Sequence, residues 1–106
     1  MAFEIVWHPS ANVDFGETIE YVCQKIGWVA SKKLFDEVIE RMEALSVFPN
    51  LGVQYEGVTY HGNKVRIINI CQNAVIYTVD EKQITIIVFW NNRQNPDRLA
   101  KLINSR

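Results

Sequence analysis

The chain has 106 residues, a mass of 12.3 kDa and a formal net charge of −1. Hydrophobic residues make up 48% and charged residues 22%, which are close to the averages of globular proteins and predict a folded chain with disorder confined to the ends. The length predicts a single domain over residues 1–106. The sequence has no secretion signal and no apolar window of about 18 residues, so we expect a cytoplasmic protein without a membrane span.

The charged residues are distributed unevenly along the chain. Residues 1–53 carry four basic and eight acidic side chains, whereas residues 54–106 carry seven basic and four acidic ones. The second half is therefore cationic on its own and suits an acidic partner protein or a polyanion. The isoelectric point near 6.1 argues against strong non-specific binding of the whole chain to nucleic acid.

The first half predicts one strand and two helices. Alternating apolar residues predict a strand over residues 3–8. Ser10 is the expected N-cap of a first helix that runs to about Ile26, and Gly27 ends this helix. A second amphipathic pattern covers residues 28–48. Two such helices joined at one glycine predict an antiparallel helical hairpin.

The second half predicts an antiparallel sheet. Residues 52–63 contain three glycines among β-formers and are interpreted as a loop or an irregular edge strand. Three β-branched runs follow, at residues 64–70, 74–80 and 83–90. The links between these runs are short, which predicts antiparallel hairpins.

The last segment predicts a short helix after Pro96, with Asp97 as its cap and Leu99 on its apolar side. The element order is then β-α-α-β-β-β-α, an α+β fold with the N-terminal strand and a helical hairpin packed on a three- to four-stranded antiparallel sheet. The three central strands are apolar on both faces. We therefore expect the helical hairpin to cover one face and something else to cover the other.

The sequence contains no phosphate-binding loop, nucleophile elbow or metal-ligand motif, so we expect no metal and no cofactor. Cys23 and Cys71 lie in apolar stretches without CxxC spacing and are predicted to be buried free thiols. His8 ends the first strand, and His61 lies in a loop flanked by glycines. A structural or surface role is favoured over acid–base chemistry for both histidines.

Three polar residues, two in the predicted sheet and one directly after its last strand, are candidates for function. Arg66 interrupts an apolar strand and shares a face with Ile68 and Ile70, so its guanidinium must reach solvent or a carboxylate. Tyr77 lies in mid-strand and needs a buried hydrogen-bond partner if it faces the helices. Arg93 follows the last strand in the segment FWNNRQNP, where it either stabilises the turn or contacts a ligand or partner.

The order and spacing of these segments resemble the RelE/ParE superfamily of bacterial type II toxins. The resemblance spans nearly the whole chain and is carried by HPSANVDFGETIEYV, ASKKLFDEVIERMEAL, FPNLG, VRIINI, AVIYTVDEKQITIIVFW and NNRQNP. The last segment is the most specific, because members often end the final strand before an Arg-Gln/Asp-x-Pro turn. The resemblance implies an antiparallel sheet packed on a helical hairpin, and a toxin whose exposed apolar surface is covered by a cognate antitoxin.

The superfamily divides by target. RelE-like members cleave mRNA in the ribosome, and they resemble one another in a basic sheet, an arginine just before the middle-strand tyrosine and a C-terminal His or Tyr. Here Ala74 lies three residues before Tyr77, Arg66 is the one arginine of the neighbouring strand, and the tail has neither His nor Tyr. Only Arg93 matches a basic position of the nuclease pattern. We therefore favour the ParE-like branch, whose members poison DNA gyrase without being nucleases.

The favoured hypothesis is a toxin of the plasmid-stabilisation type that binds and inhibits a cellular target, with DNA gyrase as the target that the resemblance implies. The expected assembly is a homodimer or a hetero-oligomer with the antitoxin. The basic C-terminal helix, including Arg106, is expected to contact the target. The predicted partner-binding residues are Arg66, Trp90, Asn92, Arg93, Arg98 and Lys101.

Two alternatives stay open. The first is a RelE-like, ribosome-dependent endoribonuclease, for which Arg93, Arg66 and Tyr77 are the candidate catalytic residues. In-line cleavage needs a base for the 2′-hydroxyl, an acid for the leaving oxygen and positive charge on the phosphorane, and the residues present make this set incomplete. The second alternative is a degenerate family member without toxicity.

Overall fold

A computed structural model describes residues 2–106. Its element order, β-α-α-β-β-β-β-α, confirms the predicted α+β class and has one more strand than the predicted order, because residues 53–60 form the irregular edge strand that was one of the two alternatives for this segment. The elements are β1 (Glu4–Trp7), α1 (Pro9–Lys25), α2 (Trp28–Val47), β2 (Val53–Tyr60), β3 (Asn63–Ile70), β4 (Asn73–Asp80), β5 (Gln83–Asn91) and α3 (Asp97–Ser105). No helix among these residues is long and apolar enough to cross a membrane.

The five strands form one mixed sheet in the order β1-β5-β4-β3-β2. Strands β2 to β5 are joined by short turns and pair antiparallel, as predicted. β1 lies beside β5 and runs parallel to it, with Ile5 opposite Ile84. The sheet is therefore larger than the predicted three- to four-stranded antiparallel sheet, since β1 joins its far edge.

The edge strand β2 is irregular at its centre. It pairs with β3 at Val53 and Gln54, loses register, and pairs again at Thr59 and Tyr60. Gly57 lies in the interrupted stretch at φ 79°, a conformation that glycine adopts at low cost. This bulge explains why the glycine-punctuated segment has a weak strand pattern.

The first hydrophobic core lies between the sheet and the hairpin of α1 and α2. Phe15 stacks on Trp7 and Phe35, with ring centroids 5.3 and 5.8 Å apart, and it packs against the tilted ring of Phe89. Such aromatic pairs contribute about 0.5–1.5 kcal/mol beyond their buried area. The other buried members include Ala11, Leu34, Val38, Met42, Leu45, Ile68, Ile70, Val75, Tyr77, Ile84 and Ile86.

A second core covers the opposite face of the sheet. There α3 packs Leu99 and Ile103 against β3, β4 and β5. The surplus of apolar strand residues is thus covered by the chain's own last helix, and the expectation that an antitoxin accounts for this face is wrong. The sheet side of this core is formed by Val65, Ala74, Ile76, Ile87, Val88 and Trp90.

Both helix starts differ by a residue or two from the prediction. α1 begins at Pro9, and its N-cap is His8, whose Nδ1 accepts the Ser10 N–H at 3.0 Å. Proline suits the first helical position, because an N–H there has no partner within the helix and proline lacks this group at no cost. At α3, the side chain of Asn95 accepts the Asp97 N–H at 3.0 Å, so Asp97 lies inside the first turn and is not the cap.

The prediction that both cysteines are buried is wrong. Cys23 and Cys71 are free and exposed. Cys23 follows Val22, which packs against the first core, and successive residues of a helix point about 100° away from one another. Cys71 lies in the β3–β4 turn at φ 58°, beyond the last paired residue of β3. Apolar neighbours in the sequence did not determine the direction of either side chain.

Candidate partner-binding site

The turn after β5 is built from asparagine side chains. The Oδ1 atom of Asn91 accepts the backbone N–H of Arg93 at 2.9 Å, and the N–H of Gln94 returns to the carbonyl of Asn91 at 3.0 Å. The N–H of Asn92 donates to the carbonyl of Gln72 in the neighbouring β3–β4 turn. Short polar side chains of this kind fix turns without glycine.

Arg93 lies at the exposed tip of this turn. Its backbone N–H donates to the side chain of Asn91. Its guanidinium takes part in neither of the two ion pairs within residues 2–106, which are Lys32–Asp36 and Asp14–Arg106. Asn92 lies beside it and donates from its side-chain amide to Asn69 at 3.2 Å. The turn therefore stabilises itself through the backbone of Arg93 and leaves the side chain of Arg93 directed to solvent.

A groove of about 450 Å³ lies between the end of β5 and α3, and we call it the α3 groove. Trp90, only 5% exposed, contributes to its apolar part. Because Leu99 and Ile103 face the core, Arg98 and Lys101 lie on the exposed side of α3. The groove is lined by Trp90, Gln94, Arg98, Lys101, Leu102 and Ser105.

The α3 groove combines hydrogen-bond donors with an apolar surface. Arg98 and Lys101 supply positive charge, and Arg98 can hold a carboxylate or phosphate with two parallel hydrogen bonds. Trp90 is a buried member of the second core and presents little surface of its own, so the accessible apolar part of the groove comes mainly from the partly buried Leu102. These residue types suit an acidic group that lies next to an apolar or aromatic side chain.

The structure therefore brings together three of the six predicted partner-binding residues, Trp90, Arg98 and Lys101, and places Asn92 and Arg93 on the adjoining turn. Sequence reasoning missed Gln94, Leu102 and Ser105. Leu102 and Ser105 are separated by three residues, which places them on one side of a helix. This spacing is the sequence signal that could have assigned Leu102 and Ser105 to one surface.

Arg66 and Tyr77 lie elsewhere, on the face of the sheet that meets the helical hairpin, where they pair with one another across β3 and β4. Arg66 donates from Nη1 to the carbonyl of Gly52 at 2.7 Å. The Tyr77 hydroxyl donates to the carbonyl of Pro49 and accepts the N–H of Gly52, both at 2.8 Å. Burial raises the pKa of Tyr77 above its ordinary value. Both side chains thus hold the loop between α2 and β2.

Arg106 does not supply free charge to the α3 groove. Its guanidinium bonds the carboxylate of Asp14 at 2.6 and 3.1 Å and the carbonyl of Ile87 at 2.9 Å. Arg106 was expected to contact the target together with the rest of the basic C-terminal helix. In the structure its guanidinium instead fixes the end of the chain after α3 to α1 and β5. No group of three or more metal-ligating side chains occurs within residues 2–106.

Comparison with known proteins places this fold in a family. The family model described as ParE toxin of type II toxin-antitoxin system, parDE, matches residues 5–96. Among solved structures, the chain is similar to one described as the chromosomal ParDE TA system from P. aeruginosa, with a TM-score of 0.66 and 18% identity over 85% of this chain and 96% of that one. A comparison with curated proteins gave no match. The chain belongs to the ParE toxin family of type II toxin-antitoxin systems.

Proposed function

We propose that this protein is a toxin that inhibits a cytoplasmic bacterial target by binding it, and we infer DNA gyrase as that target. Membership of the ParE toxin family, over residues 5–96, is the observation that carries the proposal. The α3 groove supports it, since the exposed cations Arg98 and Lys101 suit an acidic protein surface. Arg93 extends the same cationic surface onto the adjoining turn.

We also propose that a cognate antitoxin neutralises the protein. A type II system pairs a toxin with a protein antitoxin, and the chain exposes apolar side chains that such a partner could bury. Ile26, Trp28 and Val29 are each more than 60% exposed at the junction of α1 and α2. Contiguous exposed apolar residues of this size are typical of protein–protein interfaces.

Induction of the protein in bacteria tests the toxic activity. We expect growth to stop and DNA synthesis to fall before protein synthesis, as measured by pulse labelling with a nucleoside and an amino acid. Purified protein should inhibit supercoiling by purified gyrase. Early loss of protein synthesis with mRNA cut on the ribosome would favour the endoribonuclease alternative, and unimpaired growth would favour a non-toxic family member.

A matched pair of double variants tests the α3 groove. Arg98→Glu with Lys101→Glu should weaken target inhibition by about tenfold or more, because charge-assisted contacts to a partner become repulsive. Lys25→Glu with Lys33→Glu makes the same change in net charge on the exposed surface of the hairpin and should retain inhibition. Equal loss in both pairs would show an effect of net charge and contradict a role for the groove.

A further inference from the structure

The outer side of the helical hairpin carries apolar side chains that the chain does not bury. Trp28 is 66% exposed, Phe35 44% and Ile39 39%. Their spacing of seven and four residues places all three on one side of α2. We call these three residues the α2 seam. Phe35 stacks on Phe15 of α1 with ring centroids 5.8 Å apart, so the seam runs along the line where α2 meets α1.

Gly16 of α1 lies beside the seam and keeps it open. Ser31 of α2 donates from Oγ to the carbonyl of Ile19 at 3.3 Å, and Gly16 precedes Ile19 by about one turn of the helix. Gly16 is exposed, its φ is not positive, and a Cβ atom there would meet no atom within 4 Å. Alanine is favoured over glycine inside a helix. The fold of a single chain therefore does not need glycine here, whereas the close approach of a second backbone would.

The charges that flank the seam differ in sign between its two ends. Lys32 follows Trp28 by four residues and Glu43 follows Ile39 by four, so both lie beside the seam, and both are exposed. Lys32 bonds Asp36 at 2.8 Å in an exposed pair, which is a weak interaction. Glu43 takes part in neither ion pair within residues 2–106. The first half of the seam is thus basic and the second half acidic.

An antiparallel pair of such helices is self-complementary. A two-fold axis midway between Phe35 and Ile39 places Phe35 of one copy on Ile39 of the other. Lys32 lies five residues before this midpoint and Glu43 six residues after it. The two side chains therefore meet across the axis with an offset of about 1.5 Å along the helix. Opposite charges face one another at both ends of the paired seams, and like charges face one another in a parallel pair.

We propose that the α2 seam is the interface of a symmetric dimer of this chain. The two α2 helices pack antiparallel, and Gly16 of each copy leaves room for the other copy to approach. Trp28 reaches the last turn of α2 in the other copy, where Val47 is 57% exposed. Trp28 also lies at the junction that an antitoxin is proposed to cover, so the dimer is a state of the chain without antitoxin. The proposal is independent of the toxin's target.

Sedimentation velocity of the full chain over a concentration series tests self-association. The seam is small, so we expect a reversible dimer that forms between about 1 μM and 1 mM. The amide resonances of Gly16, Phe35 and Ile39 should shift over the same concentrations. A chain that stays monomeric at about 1 mM would overturn the proposal and leave the seam to a different partner protein. A dimer whose shifts map to the α3 groove would overturn it as well.

A charge exchange tests the two-fold arrangement. Lys32→Glu and Glu43→Lys each place like charges at both ends of the paired seams, so each variant alone should dimerise about tenfold more weakly or worse. An equimolar mixture of the two variants should associate as tightly as the parent, because every contact then joins opposite charges. Lys33→Glu changes an exposed charge on α2 away from the seam and should leave the dimer unchanged. Equal weakening by Lys33→Glu, or a mixture that stays dissociated, would contradict the arrangement.

Gly16→Gln separates the interface from folding. The new side chain enters open space and replaces glycine inside a helix, so the melting temperature of the diluted monomer should equal or exceed that of the parent. The same side chain covers the seam and should abolish the dimer in the sedimentation series. A Gly16→Gln variant that folds and still dimerises like the parent would place the interface elsewhere and contradict the proposal.

Discussion

Asp14 of α1 and Arg106, which follows α3, form a bidentate ion pair with N–O distances of 2.6 and 3.1 Å. The same guanidinium donates to the carbonyl of Ile87 in β5, and the Asp14 carboxylate accepts the backbone N–H of Phe89 at 3.3 Å. The Arg106 side chain is only 11% exposed and the Asp14 side chain only 23%. One ion pair thus joins α1, β5 and the end of α3 across the edge of both cores.

Replacement of Arg106 by methionine tests this connection. The variant leaves the Asp14 carboxylate largely shielded from solvent and without its cation. We therefore expect the free energy of unfolding, measured in urea, to fall by about 1–3 kcal/mol. Hydrogen exchange should rise first in α3. The double variant with Asp14→Asn should recover part of the loss, and simple additivity of the two single effects would contradict direct coupling.

Tyr77 tests the contacts that hold the α2–β2 loop. Tyr77→Phe leaves the N–H of Gly52 and the carbonyl of Pro49 without their partner in a buried site. We expect a loss of about 1–3 kcal/mol in the free energy of unfolding. Tyr60→Phe removes a hydroxyl whose bond to Arg106 is long, at 3.5 Å, and should cost less than about 0.5 kcal/mol. Equal losses would contradict a special role for Tyr77.

Gly52 tests the close approach of the same loop to the sheet. In Gly52→Ala the new methyl group meets the Tyr77 hydroxyl and the Ile67 carbonyl within 2.8 Å, so we expect a lower melting temperature and movement of the loop. Gly16→Ala is the matched control, because that glycine lies inside α1 with no atom within 4 Å of the new Cβ. It should stabilise the protein by up to about 1 kcal/mol. A stable Gly52→Ala variant would contradict the packing described.

Local patterns predicted most of the elements. The 3.6-residue periodicity identified α1, α2 and α3, and the β-branched runs identified β3, β4 and β5, because each of these signals depends only on neighbouring residues. β2 was harder, since Gly57 interrupts its pattern. The His8 cap depends on the backbone angles of one residue, and the Asp14–Arg106 pair joins residues 92 positions apart. Neither has a local signature.

The candidate site shows why side-chain direction was the weakest inference. Strict alternation along β5 would place Trp90 on the same face as Ile84 and Ile86, towards the helical hairpin. The register shifts between Ile76 and Tyr77 of β4, which leaves Ile87 without a counterpart. Beyond this bulge Trp90 lies on the opposite face, with α3. A single extra residue therefore creates the α3 groove, and no turn or glycine marks it in the sequence.

The exposed thiol of Cys71 offers a test of local electrostatics. Its Sγ donates to the carboxylate of Glu37 at 3.0 Å, and this hydrogen bond raises the pKa of the Cys71 thiol, with desolvation and the charge of Glu37 adding to it. Less thiolate is then present near pH 8, so alkylation is slow. Glu37→Gln should lower the pKa and speed the reaction several-fold, measured with iodoacetamide across a pH series in a Cys23→Ser background.

The neighbouring carboxylate supplies the control for this measurement. Glu40→Gln removes the same charge from α2, but Glu40 does not bond the thiol. Its alkylation profile should match that of the parent protein. A shift of equal size in both variants would assign the effect to the general acidity of α2, and no shift in either would contradict the bond to Glu37.

Truncation of Ile103 tests whether α3 unfolds together with the second core or separates from the sheet on its own. Its side chain is completely buried against the sheet, so Ile103→Ala should lower the free energy of unfolding by about 2–5 kcal/mol through lost burial and the cavity left behind. Ile26→Ala truncates an isoleucine that is 73% exposed and should have little effect. If Ile103→Ala keeps its full stability while Trp90 becomes accessible to a fluorescence quencher, α3 separates from the sheet without unfolding the domain. If stability and Trp90 burial are lost together in one transition, α3 belongs to the cooperative core.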